Sequence, residues 1–340
     1  MFDFSVEDAS AQRHQTELLA HPAVRAWRRL GPERPLPTGV GPAQFKPHVK
    51  TTNVYRLEDA APGGGAVIAK RCRPARGAVE RIVYEQYLPH LPVPVAAYLG
   101  YFEDPAEERP WLFMRAVTGE RYAHDDPAHR AYAGRWIGAL HASAQAIGPH
   151  PGLPAADPRR YLEHLRDARE LIHAHRGNPV LLPEDLRLLD TLVSHLDEIE
   201  RRWERLESLC ASAPQTLVHG DFNGKNVFVQ SAGGHPGIVV FDWEFAGWGP
   251  PAVDLAQFPV PSSRLSASPD LASYWEMARD LWPNHQLADV ERIAHCGTVF
   301  RLLAIVEWEA RSLRFETARG QIRTIELVEA DLKRALQRVE

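Results

Sequence analysis

A chain of 340 residues with 44% hydrophobic and 24% charged residues has the composition of an ordinary globular protein with one large domain or two lobes. Its formal net charge of −5 gives no support to a nucleic-acid partner, and three widely spaced cysteines argue against a disulfide framework or a zinc site. No apolar run is long enough to span a membrane, and the first residues lack the basic and apolar regions of a signal peptide, so we expect a cytoplasmic protein without a membrane partner.

The first segment of the chain has the spacing of a helix followed by a connection. Apolar residues recur at helical intervals from about Gln15 to Arg29, and Pro22 within this run either breaks or restarts the helix. The Pro- and Gly-rich segment from Pro35 to Pro47 is typical of a connection.

The pattern then changes to that of a small sheet. Strand-like segments are predicted over residues 49–57 and 66–70, on either side of a Pro- and Gly-rich turn, and helical spacing follows from about Arg76 to Leu88. Two further strands are predicted from Val95 to Phe102 and from Pro110 to Arg115.

Lys70 ends the second of these strands, and two glutamates, Glu80 and Glu85, lie on the helix that follows. A lysine in this place can reach the phosphates of a nucleotide while an ion pair to a helix glutamate fixes its position. A lysine stem packed along the surface, with an unrelated surface glutamate, is the alternative.

From residue 116 onward the chain is mostly helical in pattern. Apolar residues at helical spacing predict helices around 132–147, 161–171 and 186–206. Two long amphipathic helices are predicted to close the chain, roughly from Leu287 to Phe315 and from Gln321 to Val339.

Between these helices, two short β-branched runs flank a Gly-, Ser- and Pro-rich turn. The runs Val227–Val229 and Ile238–Phe241 predict a hairpin. Asp221 and Asn226 precede its first strand and Asp242 directly follows its second. The hairpin should therefore bring Asn226 and Asp242 to the same end of the ladder, with Asp221 beside them.

This arrangement suits phosphoryl transfer. Asp221 would orient an acceptor hydroxyl and take its proton, since the spacing from His219 through Asp221 to Asn226 matches the catalytic loop of kinases. Mg²⁺ prefers a few oxygen ligands and keeps its waters, so Asn226 and Asp242 are the predicted metal ligands.

Three groups of residues resemble the aminoglycoside phosphotransferase family, which also takes in choline-kinase-like enzymes. They are H-G-D-F-N-G-K-N from His219 to Asn226, F-D-W-E from Phe241 to Glu244, and the segment from Gly249 to Ala256. The family is similar to protein kinases in fold, but it has H-G-D where they have H-R-D and D-W-E where they have D-F-G.

The resemblance implies an α+β, two-lobed protein-kinase-like fold, with a small β-rich N-terminal lobe and a larger, mostly helical C-terminal lobe. Residues 1–115 would form the nucleotide-binding lobe, of which 1–45 are a helical extension and connection. Residues 116–340 would form the helical lobe with the catalytic loop and the acceptor site.

The resemblance also implies nucleotide contacts in the first lobe. The family carries a strand lysine and a helix glutamate in this order, and the sequence that follows Glu85 favours this residue over Glu80 as the partner of Lys70. The segment Trp111–Gly119 looks like the family's linker between lobes, so the backbone from Met114 to Val117 should pair with the adenine edge.

One departure from the protein-kinase pattern concerns the loop over the phosphates. Thr51, Thr52 and Asn53 stand where protein kinases have a glycine-rich loop. Hydroxyl, amide and backbone N–H groups can still hold phosphate, and the aminoglycoside kinase family often has small polar residues here, so we expect these three residues to contact the nucleotide.

The predicted function is transfer of the γ-phosphate of ATP, with Mg²⁺, to a hydroxyl of a small molecule such as an aminoglycoside or other antibiotic, a sugar or an amino-alcohol. GTP in place of ATP, and the oligomeric state, stay open. Alternatives are a kinase of peptide Ser or Thr in natural-product maturation and a pseudokinase that only binds nucleotide. Acidic and aromatic residues after the hairpin are candidates for an acceptor cleft: Glu244, Trp248, Trp275, Glu276, Glu307, Trp308 and Glu309.

Overall fold

We describe a computed structural model of the chain for residues 15–43, 53–104, 107–232, 235–258 and 266–339. The chain divides into two compact units. Unit 1 comprises Met1–Pro89, Pro94–Gly119 and Val239–Glu244, and unit 2 comprises His90–Val93, Glu120–Ile238 and Phe245–Glu340.

The predicted N-terminal helix restarts at its proline. Residues 15–20 are helical, and a second helix, α1 (Pro22–Arg29), begins directly after His21. The His21 side chain accepts a hydrogen bond from the Ala23 N–H group at 3.3 Å, and Pro22 stands at the first helical position, where its missing N–H costs nothing.

Unit 1 contains a five-stranded antiparallel sheet. Its strands are β1 (Gly39–Pro42), β2 (Val54–Glu58), β3 (Val67–Arg71), β4 (Tyr98–Phe102) and β5 (Trp111–Arg115), in the order β1-β2-β3-β5-β4. The four predicted strands are confirmed, although residues 49–52 lie outside the described residues.

Strand β1 is a correction, because the segment from Pro35 to Pro47 was predicted to be only a connection. Residues Gly39 to Pro42 pair with β2, with Val40 opposite Leu57. Because glycine and proline are rare in strands, a segment that contains both is not recognised as a strand from its sequence. An edge strand nevertheless tolerates both residues.

One face of the sheet packs beneath α1. The Trp27 ring of α1 lies 5.3 Å from the Phe113 ring, and its indole N–H donates to the Pro35 carbonyl at 3.0 Å. Val67 and Ala69 of β3 are buried in this cluster. Since successive side chains of a strand alternate between faces, Lys70 belongs to the opposite face of the sheet.

The helix after β3 changes its geometry partway. Helix α2 (Pro74–Ile82) continues into a π-helical turn, Val83–Tyr87, and a 3₁₀ turn, Leu88–His90. The predicted helix from about Arg76 to Leu88 is therefore confirmed in position, but Glu85 lies in the π-helical turn and not on the α-helix.

Unit 2 is mostly helical. Its helices are α3 (Pro127–Ile147), α4 (Pro158–His175), α5 (Pro183–Arg201), α6 (Trp203–Ala211), α7 (Leu271–Ala278), α8 (Leu287–Ala310) and α9 (Arg319–Val339). Asp126 and Asp157 cap α3 and α4 through their carboxylates, each followed by a proline in the first turn. The run predicted over 186–206 is two helices, interrupted at Arg202.

Short strands and 3₁₀ turns carry the polar motifs. Strands β6 (Glu120–Arg121), β8 (Val227–Ala232) and β9 (His235–Val240) form one sheet, and β7 (Thr216–Val218) pairs with β10 (Gly247–Gly249). Strands β8 and β9 are neighbours, which confirms the predicted hairpin. One 3₁₀ turn, Gly224–Asn226, precedes β8, and another, Pro251–Leu255, follows β10.

The predicted α+β composition is confirmed, with a small antiparallel sheet toward the N-terminus and a larger helical part after it. Within the described part of the chain, no helix combines the length and the apolar character that crossing a membrane requires.

Candidate active site

A lysine surrounded by three carboxylates forms the polar centre of unit 1. The Lys70 ammonium nitrogen lies 2.8 Å from Glu80 Oε2 and 3.3 Å from Glu244 Oε2, and it also donates to Asp242 Oδ1. Glu80 is fully buried, whereas Asp242 and Glu244 are partly exposed. The structure thus brings the predicted Lys70 and Asp242 together.

The predicted pairing of Lys70 with Glu85 is wrong, because the partner is Glu80. The Glu85 carboxylate instead accepts hydrogen bonds from the Arg81 guanidinium at 3.0 Å and the Tyr98 hydroxyl at 2.7 Å. Two side chains five positions apart on one helical segment point in different directions around its axis, and it is Glu80 that faces Lys70 of β3.

Burial and charge act in opposite directions on the Lys70 cluster. Burial alone would lower the pKa of Lys70, but the negative charges of Glu80, Asp242 and Glu244 outweigh it and raise that pKa well above its usual value. Burial raises the pKa of the Glu80 carboxyl, and the charge of Lys70 opposes this rise. Lys70 is therefore a fixed cation within a group of carboxylates.

The backbone around Asp242 is tied to the same cluster. Asp242 has a positive φ of 73°, a conformation that few residues other than glycine adopt. The next N–H group, that of Trp243, donates to Glu80 Oε1 at 3.3 Å, and Arg76 donates to the Glu244 carbonyl at 3.2 Å. Glu80 thus holds both the lysine and the segment that carries Asp242.

The polar centre of unit 2 is Asp221, a buried carboxylate with four side-chain donors. Asn223 Nδ2 and Arg301 Nη2 each lie 2.8 Å from Oδ1. Asn226 Nδ2 lies 3.0 Å from Oδ2 and Lys225 Nζ lies 3.2 Å from it. The structure thus brings the predicted Asp221 and Asn226 into direct contact.

These donors keep Asp221 ionised. Burial alone would raise its pKa, but the positive charges of Arg301 and Lys225, together with His219, outweigh burial and hold that pKa below the ordinary value for aspartate. At neutral pH the side chain is consequently a carboxylate in a fixed orientation.

The backbone of the loop requires a glycine before Asp221. Gly220 has a φ of 77°, and a Cβ atom there would stand 2.2 Å from the Phe245 carbonyl oxygen. The Asp221 N–H group donates to His219 Nδ1 at 3.2 Å, which turns the buried His219 ring toward the loop. The H-G-D sequence therefore has a local steric and hydrogen-bonding cause.

A second buried aspartate supports this loop. Asp254, in the 3₁₀ turn after β10, accepts the N–H groups of His219 at 2.7 Å and Gly220 at 2.9 Å. Its Oδ2 also lies 3.3 Å from His141 Nε2, and the other ring nitrogen of His141 lies 3.4 Å from the Tyr274 hydroxyl. Asp254 acts through backbone groups and belongs to the support of the site.

Helix α8 approaches the turn that carries Asp254 very closely. A Cβ atom at Gly297 would stand 1.7 Å from the Ala252 carbonyl oxygen, so the contact requires a residue without a side chain. One helical turn further along, α8 places Arg301 against Asp221, and Arg301 also donates to the Gly220 carbonyl at 3.2 Å. The same helix therefore fixes the turn and the loop that carries Asp221.

Sequence reasoning missed Arg301, Asn223 and the role of Glu80. Arg301 stands alone among apolar residues on α8, and a buried arginine in such a run is expected to have a charged partner. The sequence therefore indicates that Arg301 has a charged partner, but it does not identify which carboxylate that partner is.

The predicted metal ligands have a donor chemistry that fits Mg²⁺. Asn226 Nδ2 donates to both the Asp221 carboxylate and the Asp221 carbonyl at 3.0 Å, so its amide oxygen is turned away from them. Asp242 is one of three carboxylates around the single ammonium group of Lys70. An amide oxygen and an acidic surplus are what a hard divalent cation requires.

The predicted phosphate loop is only partly described. Thr51 and Thr52 lie outside the described residues, so their role stays a prediction. Asn53 is exposed, and its side-chain oxygen accepts a hydrogen bond from Arg109 at 3.2 Å.

The predicted linker residues differ in how their backbone is used. Met114 lies inside the sheet, opposite Ile68 on one side and Tyr98 on the other. The Ala116 N–H group donates to the Ala66 carbonyl at 2.9 Å. Val117 follows this hydrogen bond, outside the sheet. Its backbone is therefore more suitable than that of Met114 for contact with the edge of a base.

Comparisons with known proteins bear on the family and the fold of the chain. The model of the APH family, described as a phosphotransferase enzyme family, matches residues 46–278. Choline kinase from Cryptosporidium parvum is 12% identical, with 99% of this chain and 95% of that chain covered and a TM-score of 0.57. APH(2″)-IIIa in its complex with GDP and kanamycin is 15% identical, with 93% of this chain and 98% of that chain covered and a TM-score of 0.58.

Aminoglycoside phosphotransferase from Alicyclobacillus acidocaldarius is 15% identical, with 86% of this chain and 91% of that chain covered and a TM-score of 0.51. At these identities the solved structures support the fold alone, and they confirm the predicted protein-kinase-like fold. The family rests on the match over residues 46–278 together with that fold. The chain belongs to the APH phosphotransferase enzyme family.

Proposed function

We propose that this protein, a small-molecule phosphotransferase by family, moves the γ-phosphate of ATP to a hydroxyl group of its acceptor. The observation that carries the proposal is Asp221, a buried carboxylate kept ionised by Arg301 and aimed by two asparagine amides. A group of this kind can orient a hydroxyl and accept its proton late in the reaction, as phosphoryl transfer needs.

The nucleotide would be held by residues of unit 1. Lys70, fixed by Glu80, is the proposed contact for the phosphates, and Asn53 and the backbone of Val117 are proposed contacts for the phosphates and the base. Thr51, Thr52 and Met114 complete the predicted set. ATP is the proposed nucleotide and GTP the alternative, since backbone contacts distinguish the two bases poorly.

Asn226 and Asp242 are the proposed ligands of Mg²⁺, which would neutralise charge on the phosphates when bound. Asp221 and its support by Arg301, Asn223 and Asp254 do not depend on the metal. The proposed compartment is the cytoplasm, because all three cysteines of the chain are free thiols.

The test uses purified protein, Mg·ATP and a panel of neutral sugars, amino-alcohols, aminoglycosides and short Ser- or Thr-containing peptides, with ADP release as the readout. Asp221→Asn keeps the shape of the side chain and removes its charge. We expect this variant to bind Mg·ATP normally in calorimetry while kcat falls by roughly 10²–10⁴, the range of a positioned general base.

Each outcome of the panel has a separate meaning. Turnover with peptides alone would replace the small-molecule acceptor by a protein one. Nucleotide binding without turnover on any acceptor would indicate a pseudokinase. Near-native kcat in Asp221→Asn would show that Asp221 is not the base.

A further inference from the structure

All hydrogen-bonding places on the Asp221 carboxylate are occupied. The two oxygens of a carboxylate accept about four hydrogen bonds. Asn223 and Arg301 occupy Oδ1, and Asn226 and Lys225 occupy Oδ2. An acceptor hydroxyl can therefore contact Asp221 only if one of these donors leaves.

Three of the donors are held by more than this contact. The Arg301 side chain is 9% exposed and also donates to the Gly220 carbonyl. Asn223 and Asn226 are buried, and each also donates to the Asp221 carbonyl, at 3.1 and 3.0 Å. Moving any of them would leave a buried polar group without its partner.

Lys225 differs from the other three donors. Its side chain is 51% exposed, and its contact with Asp221 Oδ2, at 3.2 Å, is longer than those of the other three donors. Its backbone N–H group is fixed on Asn223 Oδ1 at 3.0 Å, so the ammonium group can move on its four-carbon stem while the loop stays in place.

A second position for the ammonium group is close by. Lys225 Nζ lies 5.9 Å from the centre of the Trp308 ring, within the range of a cation–π contact. Trp308 is 43% exposed, and its ring lies 5.4 Å from that of Phe245, which supports it from the protein side. An ammonium group displaced from Asp221 can therefore rest on the face of Trp308.

We propose that Lys225 is a reversible latch on Asp221, displaced onto Trp308 when the hydroxyl of the acceptor takes its place on Oδ2. Lys225 is thus a positioning residue that acts through Asp221, and the inference rests on the proposed phosphoryl transfer. In the absence of acceptor the latch keeps water off Oδ2.

This gives Lys225 a role in preventing wasteful hydrolysis. In that side reaction the oxygen of water bonds to the γ-phosphorus, the bond from this phosphorus to the bridging oxygen of ADP breaks, and a water proton passes to Asp221. The products are ADP and inorganic phosphate. Occupying Oδ2 with an ammonium group removes the position from which water would be aimed.

The first experiment measures ADP release from Mg·ATP without any acceptor. We expect Lys225→Met to hydrolyse ATP roughly two- to fivefold faster than the wild type, the factor that one exposed ammonium–carboxylate contact supports. Lys225→Arg should stay near the wild type. Lys333→Met, at an exposed lysine of α9, is the matched control and should leave hydrolysis unchanged.

Two further measurements separate a latch from a structural role. With an acceptor from the panel, Lys225→Met should lower the KM for the acceptor by the same factor, because no ion pair has to be broken, while kcat does not rise. Adding Asp221→Asn to Lys225→Met should abolish the extra hydrolysis. Unchanged hydrolysis in Lys225→Met, or a raised acceptor KM, would overturn the proposal.

A labelling experiment decides on the contact without any turnover. Trace acetylation with an amine-reactive reagent, read by mass spectrometry, should modify Lys225 more slowly than Lys333 in the wild type and faster in Asp221→Asn than in the wild type. Equal rates in both proteins would refute the latch. Absence of ADP release from every protein on every acceptor would instead refute the proposed function, and the labelling result would still stand.

Discussion

Glu80 and Glu85 form a natural pair for testing which carboxylate fixes Lys70. Glu80→Gln and Glu85→Gln make the same chemical change five residues apart. The Glu80 side chain is fully buried and contacts both Lys70, at 2.8 Å, and the Trp243 N–H group, at 3.3 Å. The Glu85 side chain is 32% exposed and contacts Arg81 and Tyr98.

The expected magnitudes differ for physical reasons. Removing one member of a buried ion pair costs about 3–5 kcal/mol, and we expect the lower end for Glu80→Gln because Lys70 keeps Asp242 and Glu244. Glu85→Gln loses an exposed i,i+4 ion pair of about 0.3–0.5 kcal/mol and weakens one hydrogen bond of about 1 kcal/mol.

The assay combines urea unfolding with steady-state kinetics. Glu80→Gln should lower the free energy of unfolding by about 3 kcal/mol and raise the KM for ATP roughly tenfold, since Lys70 without its Glu80 partner is held less firmly and must be repositioned by the nucleotide. Glu85→Gln should change that KM by less than about twofold. A larger effect on the KM for ATP from Glu85→Gln than from Glu80→Gln would refute the assignment of Glu80.

Two other predictions concern unit 2. Gly220→Ala should lower the free energy of unfolding by at least about 1–2 kcal/mol and reduce kcat, because its φ of 77° is unfavourable for alanine and the new Cβ would meet the Phe245 carbonyl; urea unfolding within 0.5 kcal/mol of the wild type (roughly the scatter of surface substitutions) would contradict it. Burial alone would raise the pKa of the Glu307 carboxyl, but hydrogen bonds from His164 and Arg311 outweigh it and lower that pKa. The stabilising contribution of Glu307 is therefore present above the unfolded-state pKa of about 4.3 and is lost as pH falls through the lower folded-state value. The difference in unfolding free energy between the wild type and Glu307→Gln should shrink on acidification below about pH 5, and a difference independent of pH would contradict this.

The contacts of the Asp221 loop and the hairpin could be predicted because their determinants are local. The strands on either side of the turn are short runs of apolar and β-branched residues, and Asp221 and Asn226 are five residues apart in one loop. Residues that are so close in sequence come together in space almost independently of the rest of the chain. A motif of this kind can therefore be recognised from the sequence alone.

The partner of Lys70 could not be read in the same way. Glu80 and Glu85 have the same chemistry and lie on one helical segment, so the choice depends on which way that segment is rotated about its axis. The rotation is set by the packing of α2 and by the π-helical turn that begins at Val83. Neither can be predicted from the local sequence.

Contacts between residues far apart in sequence could not be predicted either. Arg301 follows Asp221 by eighty positions, and Asp254 follows Gly220 by thirty-four. Strand β1 was missed for a different reason, since an edge strand of glycine, valine and proline carries no alternating pattern.

The dependence of Asp221 on later parts of the chain has a consequence for synthesis. Chains grow from the N-terminus, so the whole H-G-D motif leaves the ribosome well before α8 does. A nascent or truncated chain that ends before Leu287 contains Asp221 and Asn226 but not the Arg301 guanidinium that contacts the carboxylate. Such a chain carries the complete H-G-D motif without the side chain of Arg301 that holds the Asp221 carboxylate in place.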